Sequence, residues 1–476
     1  MDHISINHIT FKAYELTHHF LKVFKHITYK DIPVARAMIF NFYRLIAIRN
    51  YENLSSKNMI MSKDQKRKLY GVLFDNEEVK QLPYNPNVAK PHKIILSRFV
   101  DVLDIDTESG IFCDEYVKDE RERPPYINPA NLVPLDSIVE KQLIKQIHMV
   151  SEDKKVPTIF RSKGFRVWMC KQLAHIIRLI DGIELIFMQN NIKGVVQDVS
   201  LLPMNYILVH MCKQRNIPSI NIQLFLNSHY QLMSMNPDYY ITFGQFDIDR
   251  MTELGVPPQK FKIIGNPRFD RIFTDTWMNK NQLARLLDFA SDKLVFFYAE
   301  QPVHPEEINK VILDALIQSL YPHRDKVVFI IKKHPRQAKS TLSNSYLKKY
   351  PFIKLISTND IQLYDLINNS DIVFTQFSCV GLEAILLDKP MISINFFQDE
   401  LNREHSYFAK SPLVTSSNNL QQLNEIINNM IENPVKCKHS ILEKQTIYKR
   451  YIYNDSKGTS RVRIKKFIQD ITGVKI

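Results

Sequence analysis

Between Asp371 and Ile394 the chain passes from an apolar run, Asp371-Ile372-Val373-Phe374-Thr375, through a polar turn into a helical segment, Gly381 to Leu387, and out through Lys389-Pro390 into a second apolar run, Met391-Ile392-Ser393-Ile394. Two buried strands joined through a helix form a parallel crossover unit, so this stretch commits the chain to layered α/β architecture. Ser378 stands at the expected N-cap, where free backbone N–H groups and the positive end of the helix dipole would face a phosphate. Thr375 and Gly381 flank that turn, and Glu383 sits in the first helical turn, where a carboxylate suits the dipole and reaches a ribose hydroxyl. An ordinary crossover, with Ser378 as a cap and Glu383 as a solvated acid, fits the segment equally well.

A second strand, Lys326-Val327-Val328-Phe329-Ile330-Ile331-Lys332, ends in the basic turn Lys333-His334-Pro335-Arg336, about 40 residues earlier. Ligands of open α/β sheets bind at strand carboxyl ends, which brings His334 and Arg336 into the same candidate set as the Ser378 turn. Lys293 to Tyr298 precedes these as a strand, and Gln301 and His304 lie on the turn after it. With Phe352 to Ile356, five strands are expected over residues 290–435, and the loop 357–360 is placed to meet a nucleotide base.

Upstream, helices are expected at about 8–50, an irregular charged insertion near 100–135, and a long helix near 160–190. The strands then become distinct: Lys193 to Asp198, Ile217 to Gln223, Asp238 to Gly244 and Lys260 to Gly265, with a helix from Met204 to Arg215. Asp198, at a strand's carboxyl end, is the candidate general base for an acceptor hydroxyl; helix capping explains it as well. Asp104-Ile105-Asp106 has the form of a metal signature, but its charged surroundings mark a surface excursion, and no metal site is expected.

Four pieces in order carry a family resemblance: Gly265-Asn266-Pro267-Arg268-Phe269-Asp270, Phe296 to Pro302, the Lys333-His334-Pro335 turn, and Ser378 to Pro390. A fifth is the tail Tyr453 to Arg461. Together they resemble the surface and capsular polysaccharide glycosyltransferases and their relatives, the teichoic-acid glycerophosphotransferases and capsule sialyl- and Kdo-transferases. The resemblance covers roughly the second half of the chain. It implies a GT-B fold: an acceptor-side Rossmann-like domain over 1–285, a donor-binding one over 290–435, and a helix over 440–476 crossing back to the first. It further implies a nucleotide-sugar donor, a glycan or lipid-linked acceptor, no cofactor, and no metal for the donor. Arg268 joins the phosphate-binding candidates, with a hinge salt bridge as its alternative. Relatives often carry Gln-His-Gly where this chain has Gln223-Leu224-Phe225, so no acceptor-side base is carried over.

The 11 glycines leave no room for a dinucleotide fingerprint. The 63 Lys and Arg against 50 Asp and Glu, a net +13, favour an anionic partner. No nucleic-acid motif accompanies that charge, and nucleic acid is not expected. Five cysteines without Cys-x-x-Cys spacing suit neither a disulfide framework nor zinc. With no leader and no spanning segment in view, the expected location is cytoplasmic, peripheral at the inner membrane face. Apolar and basic residues share helical spacing over the first sixty positions, which fits either an anionic membrane surface or packing within the chain's own domain. A sugar transferase is the leading reading. Polyol-phosphate transfer, nucleotide-sugar epimerisation and a non-catalytic scaffold are its alternatives.

Overall fold

Runs of four to eight apolar residues, too short for buried helices, become the strands of two parallel sheets. The computed structural model describes residues 4–50, 58–61, 79–97, 100–117, 125–198, 202–224, 236–253, 255–301, 307–334, 337, 341–342, 344–357, 361–376, 378–396, 407–408, 411–453 and 459–476. Two units divide the chain: Met1–Arg268 with Thr459–Ile476, and Phe269–Gly458.

The first unit opens with a short strand, Ile4–Asn7, paired antiparallel with Asn58–Met61, and then α1 (His8–Phe24). Its sheet contains β1 (His92–Ser97), β2 (Gly110–Cys113), β3 (Asn191–Asp198), β4 (Ser219–Ile222), β5 (Tyr239–Thr242) and β6 (Phe261–Ile263), all parallel, in the order β6-β5-β4-β3-β1-β2. Nearly every residue of β3 is buried, as a sheet covered on both faces requires. The long helix α2 (Lys163–Gln189) and α3 (Pro203–Arg215) pack beside it. The region expected to be an irregular insertion instead supplies β2, registered with Ile94 opposite Gly110. Asp106 serves the turn before it: its carboxylate accepts the N–H of Ser109 at 2.8 Å, and that bond holds its pKa below the usual range.

Phe20, Leu21, Phe24, Ile27, Met38, Ile39 and Phe42 of the N-terminal region lie inside this unit. Phe20 and Phe24 of α1 pack with Phe42, Phe160 and Phe165; the Phe20 and Phe42 rings stack at 4.4 Å, and Phe24 meets Phe160 edge-on at 5.8 Å. That face is therefore core and not a surface for lipid. Among the described residues, no helix is long and apolar enough to cross a membrane.

In the second unit β7 (Leu294–Ala299), β8 (Val327–Lys332), β9 (Ile353–Ile356), β10 (Ile372–Thr375), β11 (Met391–Ile394) and β12 (Ser416–Ser417) form a parallel sheet in the order β9-β8-β7-β10-β11-β12. All six residues of β8 are buried, and each Val or Ile removed from water contributes about 1.5–3 kcal/mol. The sheet has six strands where five were expected. The sixth is a two-residue pairing on the free edge of β11, made by backbone alone and carrying no apolar pattern. Across it run α4 (Glu307–Leu320), α5 (Leu363–Asn368) and α6 (Cys379–Leu386). The closing helix, Ser460–Thr472, belongs to the first unit, where Ile464 and Ile468 pack with Ile94, Leu96, Val196 and Ile220.

Candidate functional site

Strand order fixes where each sheet opens a crevice. In the second unit the sequence of connections reverses between β7 and β10, and adjacent crossovers leave that point on opposite faces of the sheet. The crevice at the carboxyl ends of these two strands is filled by a buried polar network. The Gln301 side-chain carbonyl accepts the N–H of Gln376 at 3.2 Å, and Gln376 Nε2 donates to the Tyr298 hydroxyl at 3.0 Å. Tyr298 donates in turn to Asn309 Oδ1 at 3.3 Å, and Asn309 Nδ2 donates to the Gln301 backbone carbonyl. Burial pushes the Tyr298 phenol up, so it remains a neutral donor. Ser393, at the end of β11, extends the network by donating to the Gln376 carbonyl at 3.3 Å.

The turn between β10 and α6 continues this rim. Ser378 caps α6, its hydroxyl accepting Val380 N–H at 3.3 Å, and the Ser378 N–H donates to Thr375 Oγ1 at 3.3 Å. Gly381 is placed by crowding: a Cβ there would lie 2.7 Å from the Phe408 ring and 2.8 Å from the Thr375 methyl. Glu383 is almost wholly buried, not a solvated first-turn acid, and its carboxylate accepts the Tyr364 hydroxyl at 3.2 Å. Tyr364, on α5, stands edge-on to Trp277 at 5.1 Å, with the Arg271 guanidinium 5.8 Å from the Trp277 ring. Sequence reasoning missed Tyr364, Trp277 and Gln376. Gln376 alone had a signal, as the first polar residue beyond an apolar strand.

His334 lies half-buried just past β8, with its N–H donating to Gln337 Oε1 at 3.2 Å. Lys332, two residues earlier, points elsewhere: its ammonium donates to the carbonyls of Ile361 at 2.8 Å and Ser357 at 3.4 Å. Arg336, Pro335, His304 and loop residues 358–360 lie outside the described residues, as does the 454–458 part of the tail motif.

The first unit has its own reversal, between β1 and β3, and Asp198 sits on it. Ser97, at the end of β1, donates to the Asp198 carboxylate at 3.4 Å, and Asn205 of α3 donates to the same oxygen at 3.2 Å. The Asp198 N–H returns to Ser97 Oγ at 3.1 Å. Close by, beyond β2, buried Glu115 accepts the Met204 N–H at 3.1 Å and supplies α3 with the N-terminal cap that Leu202 lacks, with His175 Nε2 3.8 Å away. Arg268, exposed, ends the first of this unit's two segments. Its N–H donates to Asn266 Oδ1, and Asn266 donates to the Leu224 carbonyl, both at 3.0 Å, so the Gly265-Asn266-Pro267 motif is a stapled turn. Gln301, Thr375, Ser378, Gly381 and Glu383 thus share one end of the second sheet, while Asp198 and Arg268 belong to the first unit.

The solved structure of UDP-GlcNAc 2-epimerase from Neisseria meningitidis, bound to UDP-GlcNAc, is similar with a TM-score of 0.50 at 14% identity, covering 80% of this chain and 100% of that one. S. aureus MnaA, in a co-structure with UDP, gives 0.49 at 13% identity over 80% and 97%. The wall teichoic acid polymerase TagF gives 0.46 at 13% identity over 92% and 98%. The epimerase likeness, with the two parallel sheets, shows the GT-B fold of two Rossmann-like domains. No curated protein matches the chain by sequence. The family model for CDP-glycerol:poly(glycerophosphate) glycerophosphotransferase matches residues 232–469, half of the chain, and includes every site residue placed in the second unit. The chain therefore belongs to the CDP-glycerol:poly(glycerophosphate) glycerophosphotransferase family of transferases.

Proposed function

We propose that this protein transfers a glycerol-phosphate or related polyol-phosphate unit from a nucleoside-diphosphate-linked donor to an acceptor hydroxyl. The family match across 232–469 carries this reading, and the buried polar rim at the β7–β10 crevice gives it a place. In the reaction the acceptor oxygen attacks the donor phosphorus, the diphosphate P–O bond breaks, and a nucleoside monophosphate leaves. Negative charge grows on the departing phosphate, and the main catalytic effect is its stabilisation by fixed donors, each contributing about 2–4 kcal/mol where water is excluded.

His334, Arg336 and Arg268 are assigned to that phosphate, together with the Ser378 hydroxyl and the amides from Ser378 to Gly381. A phosphate oxygen would replace the 3.3 Å bonds those amides make to Thr375 and Ser378. Gln301 and Thr375 shape the crevice. Glu383, aligned by Tyr364, takes the ribose hydroxyls, and the Tyr364–Trp277 pair offers the base an aromatic edge. Asp198 accepts the proton of the attacking hydroxyl, its carboxylate oriented by Ser97 and Asn205. The acceptor is a glycan or lipid-linked polymer, reached from the cytoplasmic side. With Phe20, Leu21 and Phe24 of α1 buried, attraction to an anionic membrane would be electrostatic, through side chains such as Lys22 and Lys25. Transfer of a sugar from a nucleotide sugar would use the same diphosphate contacts and is the second reading.

Thermal unfolding in the presence of CDP-glycerol, CDP, CMP, UDP and UDP-sugars separates the two. A ligand at a hundred times its Kd adds about 2.7 kcal/mol of stability. Stabilisation by cytidine ligands, lost in folded His334→Ala and Glu383→Ala variants, followed by transfer of labelled glycerol phosphate to polymer, supports polyol-phosphate transfer. Stabilisation by UDP-sugars alone would overturn it in favour of sugar transfer, and no stabilisation by any nucleotide would leave a scaffold.

A further inference from the structure

The second unit's sheet has another end. At the amino ends of β7, β8 and β9, away from Gln301 and Ser378, a cavity of about 360 Å³ opens to solvent. Its wall is aromatic: Tyr321 and Tyr350 meet at 5.5 Å with their rings perpendicular, and Phe352 lies 6.3 Å from Tyr321. Tyr321 is exposed, so apolar ring surface is presented to water at the cavity mouth.

Cations frame that wall. The Arg324 guanidinium lies 4.8 Å from the Tyr321 ring and the Lys349 ammonium 5.4 Å from the Tyr350 ring, with Lys293 and Lys354 also lining the cavity. None of the four forms an ion pair among the described residues; Lys293 donates to the Arg324 carbonyl at 3.4 Å and Arg324 to the Tyr321 carbonyl at 3.2 Å. Two carboxylates on the same lining, Asp288 and Asp325, are likewise unpaired, although they stand within a basic cluster that would neutralise them.

Each part narrows the ligand. Cations in excess, with no carboxylate paired to them, call for an anion. An aromatic face calls for a flat, weakly polar ring surface such as the C–H face of a sugar. Unpaired carboxylates accept hydroxyl protons, and they repel a chain as densely charged as nucleic acid. We propose that this cavity binds a phosphorylated sugar residue of the polymer on which the protein acts, holding the chain at a point remote from the transfer site. That the polymer is the protein's own acceptor or product rests on the function proposed above; the sugar-phosphate site itself does not.

Titration calorimetry of the full chain with glucose 6-phosphate, glucose and CMP tests this, using Tyr321→Ala and the double variant Lys349→Ala with Lys354→Ala. Both change side chains at the cavity mouth, and their unfolding temperatures verify the fold. Glucose 6-phosphate should bind, glucose more weakly, and either variant should weaken glucose 6-phosphate about tenfold while leaving nucleotide stabilisation intact. Equal binding by wild type and both variants would overturn the site, as would tighter binding of CMP than of glucose 6-phosphate that is lost in the same variants. His334→Ala separates the two readings: it should abolish nucleotide stabilisation and leave glucose 6-phosphate untouched. Persistence of sugar-phosphate binding in a protein that binds no nucleotide would cost only the identity of the polymer.

Discussion

The side-chain carbonyl of Gln301 accepts the backbone N–H of Gln376 across 3.2 Å, joining the loops that follow β7 and β10 at the point where the second sheet's connections reverse. Both residues are buried, so the bond exchanges no hydrogen bond with water in the native state. Gln301→Ala should leave the Gln376 N–H without its acceptor and cost about 1–3 kcal/mol of unfolding free energy, measured by urea titration. Gln301→Glu keeps an acceptor and should recover part of the loss. A cost below about 0.5 kcal/mol for Gln301→Ala would show that water replaces the bond.

Gly381→Ala should destabilise the second unit by about 1–3 kcal/mol, because the new methyl would collide with both the Phe408 ring and the Thr375 side chain. Gly164, near the start of α2, provides the contrast: nothing lies within 4 Å of a Cβ there, and Gly164→Ala should stabilise by about 0.5–1 kcal/mol. Two melting curves beside wild type decide the matter, and shifts of the same sign would contradict it.

Tyr364→Phe removes the hydroxyl that Glu383 accepts and little else. If Glu383 holds a ribose, the variant should bind nucleotide about threefold to tenfold more weakly with kcat little changed. A fall in stability with unchanged nucleotide affinity would make the pair purely structural.

Of the five cysteines, Cys113 and Cys212 are buried and the other three half-buried. Burial pushes the Cys113 thiol up to about 12, with Asp114 adding to the shift, and raises Cys212 as well. At pH 8 a disulfide-exchange reagent should therefore titrate no more than three thiols in the native protein and all five in denaturant. Fast reaction of a fourth would show that one of these two strand- or helix-buried sites opens.

Burial, reinforced by the Tyr29 hydroxyl's 2.8 Å bond to Asp181, raises the Tyr29 phenol from 10.0 to about 12. The unfolded chain loses this proton first as pH rises, so the stability it contributes is complete below pH 10 and is lost as pH climbs through 12. Tyr29→Phe should be less stable than wild type near neutrality, and the gap should narrow across that alkaline window. A gap independent of pH would place the effect in packing.

Strands made mostly of apolar residues were legible in the sequence: Val327–Lys332 and Met391–Ile394 stand where their composition placed them. β1 was not, because only Ile94-Ile95-Leu96 is apolar within a basic stretch, and β2 was hidden inside charged sequence. Missing β1 hid Ser97, and with it the reversal on which Asp198 sits. The cap at Ser378 could be read because a cap is a local bond between near neighbours. Tyr364 could not, since its hydroxyl meets Glu383 only when two separate helices pack together.

The return of Ser460–Thr472 to the first unit means that this unit is encoded in two pieces with the whole of the second between them. During synthesis the unit begun first is the last to be completed, because Ile464 and Ile468 must leave the ribosome before the apolar face over Ile94 and Val196 is covered. Until then that face is open to the wrong partners. Truncation ahead of Ser460 should accordingly be felt as aggregation of the first unit, with the second already assembled.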